Sequence, residues 1–177
     1  MKDFYAPPTE GLPTPELSYV PVDAEVFERR VVLFDTGIAR GATRGLNMVM
    51  EAYLKRDRQR YSAIRESLAI HDQMVGALRA GDYAQLGQMA SSYWQLRCVL
   101  DPEATNSAIQ MLFAPPICDL TEGATLTGAG GGGFGLLIAR EGEEQALREC
   151  LKKLKDQRPY ARSSVVDYRL DAKGLQL

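Results

Sequence analysis

The sequence predicts an α+β domain in two layers, an antiparallel sheet covered by helices. Two observations carry this. Apolar residues follow strand patterns in four short stretches and helical spacing in the stretches between them. The resulting order is strand, several helices, strand, glycine loop, strand, helix, strand, which favours a sheet with amphipathic helices packed on it. The 177 residues suit one domain, or one half of a two-domain enzyme, and can bury a sizeable core without staples.

The first stretch carries Pro7, Pro8, Pro13, Pro15 and Pro21. Proline removes backbone donors and fixes φ, so residues 1–22 are expected to form an extended leader, with Leu17–Val22 as a candidate edge strand. Residues 23–177 are expected to form the domain. Val31-Val32-Leu33-Phe34 is a continuous β-branched and aromatic run closed by the turn residues Asp35-Thr36-Gly37, a buried strand followed by a tight corner. From Thr43, the residues Leu46, Val49, Met50, Tyr53 and Leu54 recur at helical spacing, and the charges of Lys55–Arg60 end that face. Ile64, Leu68, Val75 and Leu78 make a second stripe, ending near Gly81. Tyr83, Leu86, Met89, Tyr93, Leu96 and Leu100 make a third, capped by Asp82. Pro102 starts a fourth, shorter helix through Ile109, Leu112 and Phe113, which Pro115-Pro116 must stop.

In the last third, Ala124–Thr127 and Phe134–Ala139 are expected strands on either side of the glycines. Glu143–Lys155 is a helix with Leu147, Cys150, Leu151 and Leu154 on one face. Its acidic start (Glu143, Glu144) and basic end (Lys152, Lys153, Lys155) suit the helix dipole. Val166, Tyr168 and Leu170 alternate in a closing strand.

Composition narrows the function. Lys and Arg number 21 against 23 Asp and Glu, a net charge of −2, which gives no reason to expect a nucleic-acid partner. No apolar run approaches the roughly 20 residues of a membrane span, and Met1-Lys2-Asp3-Phe4 begins no signal-peptide pattern. No membrane partner and a cytoplasmic location are therefore expected. Cys98, Cys118 and Cys150 with the single His71 offer neither a Cys-x-x-Cys nor a His pair, so no metal site is expected. The cysteines are expected to be inert core thiols.

Five of the six residues Gly128-Ala129-Gly130-Gly131-Gly132-Gly133 are glycine. Each costs conformational entropy when ordered, so the backbone there must take a shape other residues resist. Gly128, Gly130 and Gly133 formally fit the dinucleotide fingerprint, but that motif needs a helix after the glycines and Phe134–Ala139 is strand-like. A nucleoside-triphosphate P-loop needs Lys after the glycines, and none follows. Two readings stay open: a strand–loop–strand element whose exposed N–H groups face an anion or substrate, and a tight hairpin with no ligand.

Leu126-Thr127-Gly128-Ala129-Gly130-Gly131-Gly132-Gly133-Phe134-Gly135-Leu136 resembles the third motif of the GHMP kinases, the superfamily of galactokinase, homoserine kinase, mevalonate kinase and phosphomevalonate kinase. Other segments resemble its fucokinase-like sugar kinases: the strand and turn Leu33–Arg40, the helix Leu86–Arg97 with Ser91-Ser92-Tyr93-Trp94, and Leu100–Asn106 after it. The matches keep the family's order and span most of Val31–Ala139. Asp35 stands where relatives often have Tyr, and Arg97-Cys98 replaces a Lys-Lys pair. Nothing here resembles the Pro-x-x-x-Gly-Leu-Gly-Ser-Ser motif of the family's N-terminal domain.

The resemblance implies a ferredoxin-like C-terminal kinase domain, with the N-terminal kinase domain and the catalytic residues lying outside this chain. It implies transfer of the ATP γ-phosphoryl group to L-fucose, giving L-fucose 1-phosphate, with ATP and Mg2+ as cofactors of the full-length enzyme. A heptose 7-phosphate kinase, another sugar kinase of the superfamily, and a non-catalytic domain of the same fold are the alternatives. The implied cleft residues are Gly128, Ala129, Gly130, Gly131, Gly132, Gly133, Thr36, Arg40 and Trp94. The isolated chain is expected to fold without phosphorylating sugars. Each of these residues also has a plainer role. Trp94 suits a core or cleft-wall position, or else a sugar-stacking platform. Arg40 and Arg44, one helical turn apart, suit a solvated face as well as a phosphate clamp. Arg56, Arg58 and Arg60 suit an exposed corner. His71, between Leu68 and Val75, is expected to be a packing or domain-interface histidine.

Overall fold

The computed structural model describes residues 19–39 and 43–171, without the side chains of Thr43, Arg44 and Leu46. Most of the expected proline-rich leader lies outside the described residues. At its end, residues 19–22 carry no strand. Asp23 instead caps a helix missed in the sequence, α1 (Ala24–Arg30), its carboxylate accepting the Val26 N–H at 3.0 Å. Seven residues are too few for a clear helical stripe, which is why α1 escapes periodicity.

The sheet has four strands in the order β2-β3-β1-β4, with β1 at Val31–Asp35, β2 at Thr121–Leu126, β3 at Phe134–Ala139 and β4 at Ser164–Val166. All three pairings are antiparallel, as expected. Along β1, Val32 and Phe34 enter one core cluster with Leu137, Ile109, Leu112, Leu147, Leu151 and Tyr160, while Val31 enters another with Ile138, Ala77, Tyr83 and Leu86. Successive strand residues point to opposite faces, so both faces of the central strands are covered. This is why β1 is apolar without alternation. Helices α5 (Ser107–Met111) and α6 (Glu144–Lys153) serve one face. The hairpin of α3 (Arg58–Ala80) and α4 (Tyr83–Leu100), with α1, serves the other.

Helix α4 lies along the open edge of β2. A Cβ on Gly123 would fall 1.9 Å from the Gly87 carbonyl oxygen, so helix and strand meet backbone to backbone. Ser91 Oγ accepts the Ala124 N–H at 3.1 Å, satisfying an edge amide that would otherwise invite another strand. Arg30 secures the far end of the sheet. It is 7% exposed, donates from Nε to the Ala139 carbonyl at 3.0 Å, and lies 5.2 Å from the centre of the Tyr83 ring. Glu122, Glu141 and Glu144 stand within 4.0 Å of its guanidinium, compensating the buried charge.

Several sequence expectations shift. The second helical stripe holds in part: Leu78 packs on the core and Ile64 and Val75 are partly buried, but α3 buries Ala63 and Ala77 fully while Leu68 is 60% exposed. His71 follows it outward, with its side chain 71% exposed and Nδ1 3.4 Å from Asp72, so among the described residues it is not the core-packing histidine expected. Small alanines take the fully buried positions because the neighbouring helix is close, and the larger Leu68 drew the sequence reading outward. The fourth helix is broken: Pro102–Ala104 is a single 3-10 turn, and Asn106 then caps α5. The closing strand is only Ser164–Val166. Beyond it the chain is tied by side chains, with Tyr168 Oη donating to the Val31 carbonyl at 2.8 Å and Glu28 accepting the Leu170 N–H at 2.7 Å. The three cysteines are free but only half-buried, rather than inside the core, and burial raises the pKa of each thiol.

Two outcomes test this packing. Gly123→Ala should lower stability by about 3 kcal/mol, because neither backbone can yield. Gly76→Ala, in α3 with nothing within 4 Å of its Cβ position, should raise stability by about 0.5–1 kcal/mol. Thermal melts separate them, since at this size 1 kcal/mol moves Tm by about 2–4 °C.

A pH dependence gives a further test. Burial pushes the hydroxyls of Tyr160 and Tyr168 up to about 12. The folded state then keeps protons that the unfolded state releases near pH 10, so stability is fully present below about pH 10 and declines as pH rises towards 12. Tyr160→Phe should flatten that decline in urea titrations; an unchanged slope would contradict the assignment.

Candidate functional site

The glycine loop joins β2 to β3. Thr127 closes its base, donating from N and Oγ1 to the Phe134 carbonyl at 2.8 and 3.2 Å. Inside, Gly128, Gly130, Gly131 and Gly133 have φ between 66° and 76°, the left-handed region that side chains disfavour. Three parts of the domain hold this path.

The turn after β1 is the first. Thr36, fully buried, donates to the Gly133 carbonyl from N at 2.9 Å and from Oγ1 at 2.8 Å, and Gly133 N–H donates to the Ile38 carbonyl at 2.9 Å. A Cβ on Gly132 would fall 2.2 Å from that same Ile38 oxygen. The segment after α4 is the second. Gly131 N–H donates to the Ala104 carbonyl, and Asn106 Nδ2 donates to the Gly131 carbonyl at 3.0 Å. A Cβ on Gly130 would fall 2.8 Å from the Ala104 oxygen. The last turn of α4 is the third, where Arg97 Nη2 donates to the Gly128 carbonyl at 2.6 Å.

Gly130, Gly131 and Gly132 are therefore buried, packed on Ala104 and Ile38. At Gly130 and Gly132 the domain's own backbone takes the space a side chain would need. Gly128 and Gly133 are different, with nothing within 4 Å of their Cβ positions. Beside Gly128 and Ala129 lies a cavity of about 290 Å3, walled by Val49 of α2 (Thr43–Leu54), Arg97, Leu100 and Asp101.

Of the sequence-nominated residues, the structure brings Thr36 and all six loop residues together. Arg40 lies outside the described residues, as does the side chain of Arg44. Trp94 is 5% exposed and stacks on Phe113, ring centres 5.4 Å apart and planes within 2°. A sugar-stacking role would require that pair to open. Both nearby carboxylates serve the backbone: Asp35 Oδ1 accepts the Gly37 N–H at 2.9 Å and Asp101 Oδ1 the Glu103 N–H at 3.0 Å. Arg97, Ala104 and Asn106 were not nominated. Asn106 had a visible signal as a helix-capping residue before an apolar turn, but its second contact, 25 positions away, had none.

Chemically, the loop presents fixed dipoles. The amides of Gly128, Gly130 and Gly132 have no acceptor among the described residues. Preset N–H donors need no reorganisation when negative charge arrives. Among the described residues no three His, Cys, Asp or Glu side chains are grouped to hold a metal ion, and no helix is long and apolar enough to cross a membrane.

The two kinds of glycine should respond differently to substitution. Gly128→Ala should cost about 1 kcal/mol of left-handed strain. Gly130→Ala adds a clash with Ala104 and should cost at least about 2–3 kcal/mol. Equal Tm shifts for the two variants would show that Ala104 does not hold the loop.

Residues 74–157 match the family described as GHMP kinases C terminal. The bifunctional fucokinase/GDP-fucose pyrophosphorylase of Arabidopsis thaliana is 33% identical over 129 residues, 71% of this chain and 12% of that protein. The L-fucokinase/L-fucose-1-P guanylyltransferase of Bacteroides fragilis is 27% identical over 146 residues, 82% of this chain and 15% of that protein. The chain thus spans well under a quarter of the length of these relatives. In fold, the crystal structure of L. major mevalonate kinase in complex with R-mevalonate superposes with a TM-score of 0.63 at 23% identity, over 76% of this chain and 40% of that one. A further crystal structure of mevalonate kinase gives 0.57 at 20% identity, over 73% and 38%. On the match of residues 74–157 and the similarity to the two fucokinase proteins, the chain is a GHMP kinase C-terminal domain.

Proposed function

We propose that this chain is the C-terminal domain of an ATP-dependent sugar kinase that converts L-fucose to L-fucose 1-phosphate, in partnership with an N-terminal kinase domain that supplies the catalytic residues. The observation that carries this reading is the 33% identity to a protein named as a fucokinase, over a stretch that includes most of the described domain. The enzyme is assigned to the cytoplasm, with ATP and the sugar as its small-molecule partners.

Phosphoryl transfer asks little covalent chemistry of the protein and much positioning and electrostatic stabilisation. The glycine loop suits that work. Its amides at Gly128, Gly130 and Gly132 are unpaired among the described residues, and its path is fixed before any ligand arrives. On this reading its open side, at Gly128, Ala129 and Gly133, faces the cleft between the two domains. Thr36 acts by holding the loop. Arg40, next in sequence to the Thr36 turn, is the candidate for a phosphate contact. Mg2+ is assigned, with ATP, to the full-length enzyme.

The test is a kinase assay on the full-length gene product with L-fucose, other sugars and heptose 7-phosphates. L-fucose should give ADP and a sugar 1-phosphate with kcat/KM at least about tenfold above the others, a ratio that one or two pocket contacts supply. The 177-residue chain alone should give none. A preference for a heptose phosphate would overturn the substrate, and turnover by the chain alone would overturn the two-domain reading.

A further inference from the structure

The carboxamide of Asn106 makes two contacts of opposite polarity. Oδ1 accepts the Ile109 N–H at 3.0 Å, capping α5, and Nδ2 donates to the Gly131 carbonyl at 3.0 Å. The two partners fix the orientation of the amide, because a flip would set donor against donor and acceptor against acceptor. Gly131 is gripped a second time, its N–H donating to the Ala104 carbonyl.

A trans peptide is planar, so its C=O and the following N–H point in opposite directions. Holding the Gly131 oxygen therefore turns the Gly132 N–H away from Asn106, and that N–H is one of the loop amides without an acceptor among the described residues. With glycine on both sides of the peptide, rotation of the whole plane meets little side-chain resistance. Something must choose its direction.

We propose that Asn106 is a positioning residue that sets the direction of the Gly131–Gly132 peptide, and with it the path by which the buried part of the loop reaches its open side at Gly133. The effect on turnover rests on the kinase reading above; the orientation of the peptide does not.

Asn106→Asp separates the two contacts. The new carboxylate keeps a cap oxygen for Ile109. It faces the Gly131 carbonyl with no donor, repels it, and attracts the Gly132 N–H, so the peptide should turn over. In the full-length protein Tm should stay within about 3 °C of wild type, since the cap survives. kcat with ATP and L-fucose should fall at least about tenfold, with KM for ATP changing less than about threefold, as for a contact made chiefly in the transition state. Lowering pH from about 8 towards about 4.5 should raise the variant-to-wild-type ratio, because an aspartate titrating near about 4 regains a donor for the Gly131 carbonyl as it protonates. Asn106→Ser, which keeps a short cap oxygen but cannot reach Gly131, should lose activity without the pH-dependent recovery.

Fragment-resolved hydrogen exchange on the same proteins reads the peptide directly. Gly132 N–H should exchange at least about tenfold more slowly in Asn106→Asp near pH 7, where it gains the carboxylate as acceptor. Unchanged exchange at Gly132 together with wild-type kcat would overturn the proposal, as would a loss of kcat that is flat in pH and matched by a fall in Tm. If wild type phosphorylates no sugar, the kinase reading fails, and the exchange measurement still decides the role of Asn106.

Discussion

The site depends on how near α4 comes to the edge of β2. Gly87 and Gly123 let the two backbones touch, and no other residue at either position would. That contact sets the line of the helix. Four residues on, Ser91 reaches the Ala124 amide; three further, Trp94 stacks on Phe113 in the core; three further again, Arg97 reaches the Gly128 carbonyl. The segment leaving α4 then places Ala104 and Asn106 against Gly131. A small displacement at Gly87 would be carried along a rigid rod to every one of these contacts.

This arrangement explains why the loop holds a shape that its composition opposes. Glycine loses the most entropy on ordering, and five of six positions carry that penalty. The compensation is local and directional. The carbonyls of Gly128, Gly131 and Gly133 are all gripped, by Arg97, Asn106 and Thr36 respectively. Fixing the Gly131 carbonyl also fixes the Gly132 amide after it, which has no acceptor among the described residues.

The sheet was legible in the sequence where burial made a strand apolar on both faces. β3 falls on Phe134–Ala139 as expected and β1 gains only Asp35. The α3–α4 hairpin was legible through its caps, Asp82 and Gly81, and Leu78 packs as expected, but the fully buried positions of α3 are Ala63 and Ala77. Hydrophobic size points to Leu68; close packing selects alanine. In the site, the glycines announced an unusual backbone. What each one meets did not show, since Ala104 and Ile38 act through carbonyl oxygens, and every residue has one. Arg97 and Asn106 stood in plain view as a charge and a cap, and only the fold supplies the distant carbonyls they hold.

The loop's surroundings also limit the kind of chemistry this domain contributes. Asp35 and Asp101, on the two segments that hold the loop, accept backbone N–H groups of their own turns. The cysteine beside Arg97, Cys98, has its thiol pushed up by burial, away from the thiolate form a nucleophile needs. The tyrosines pushed up furthest, Tyr160 and Tyr168, donate their hydroxyls to the Ala108 and Val31 carbonyls. Proton transfer would have to draw on groups that are already engaged or held neutral. Oriented amides have no such limitation, because their charge is fixed and their direction is set by the chain. A near-neutral domain can then stabilise an anion strongly at one place without a basic surface that would attract anions everywhere. In such a site, specificity for position is carried by the residues that hold the carbonyls: the buried Thr36, the exposed Asn106, and Arg97 on the wall of the cavity beside Gly128.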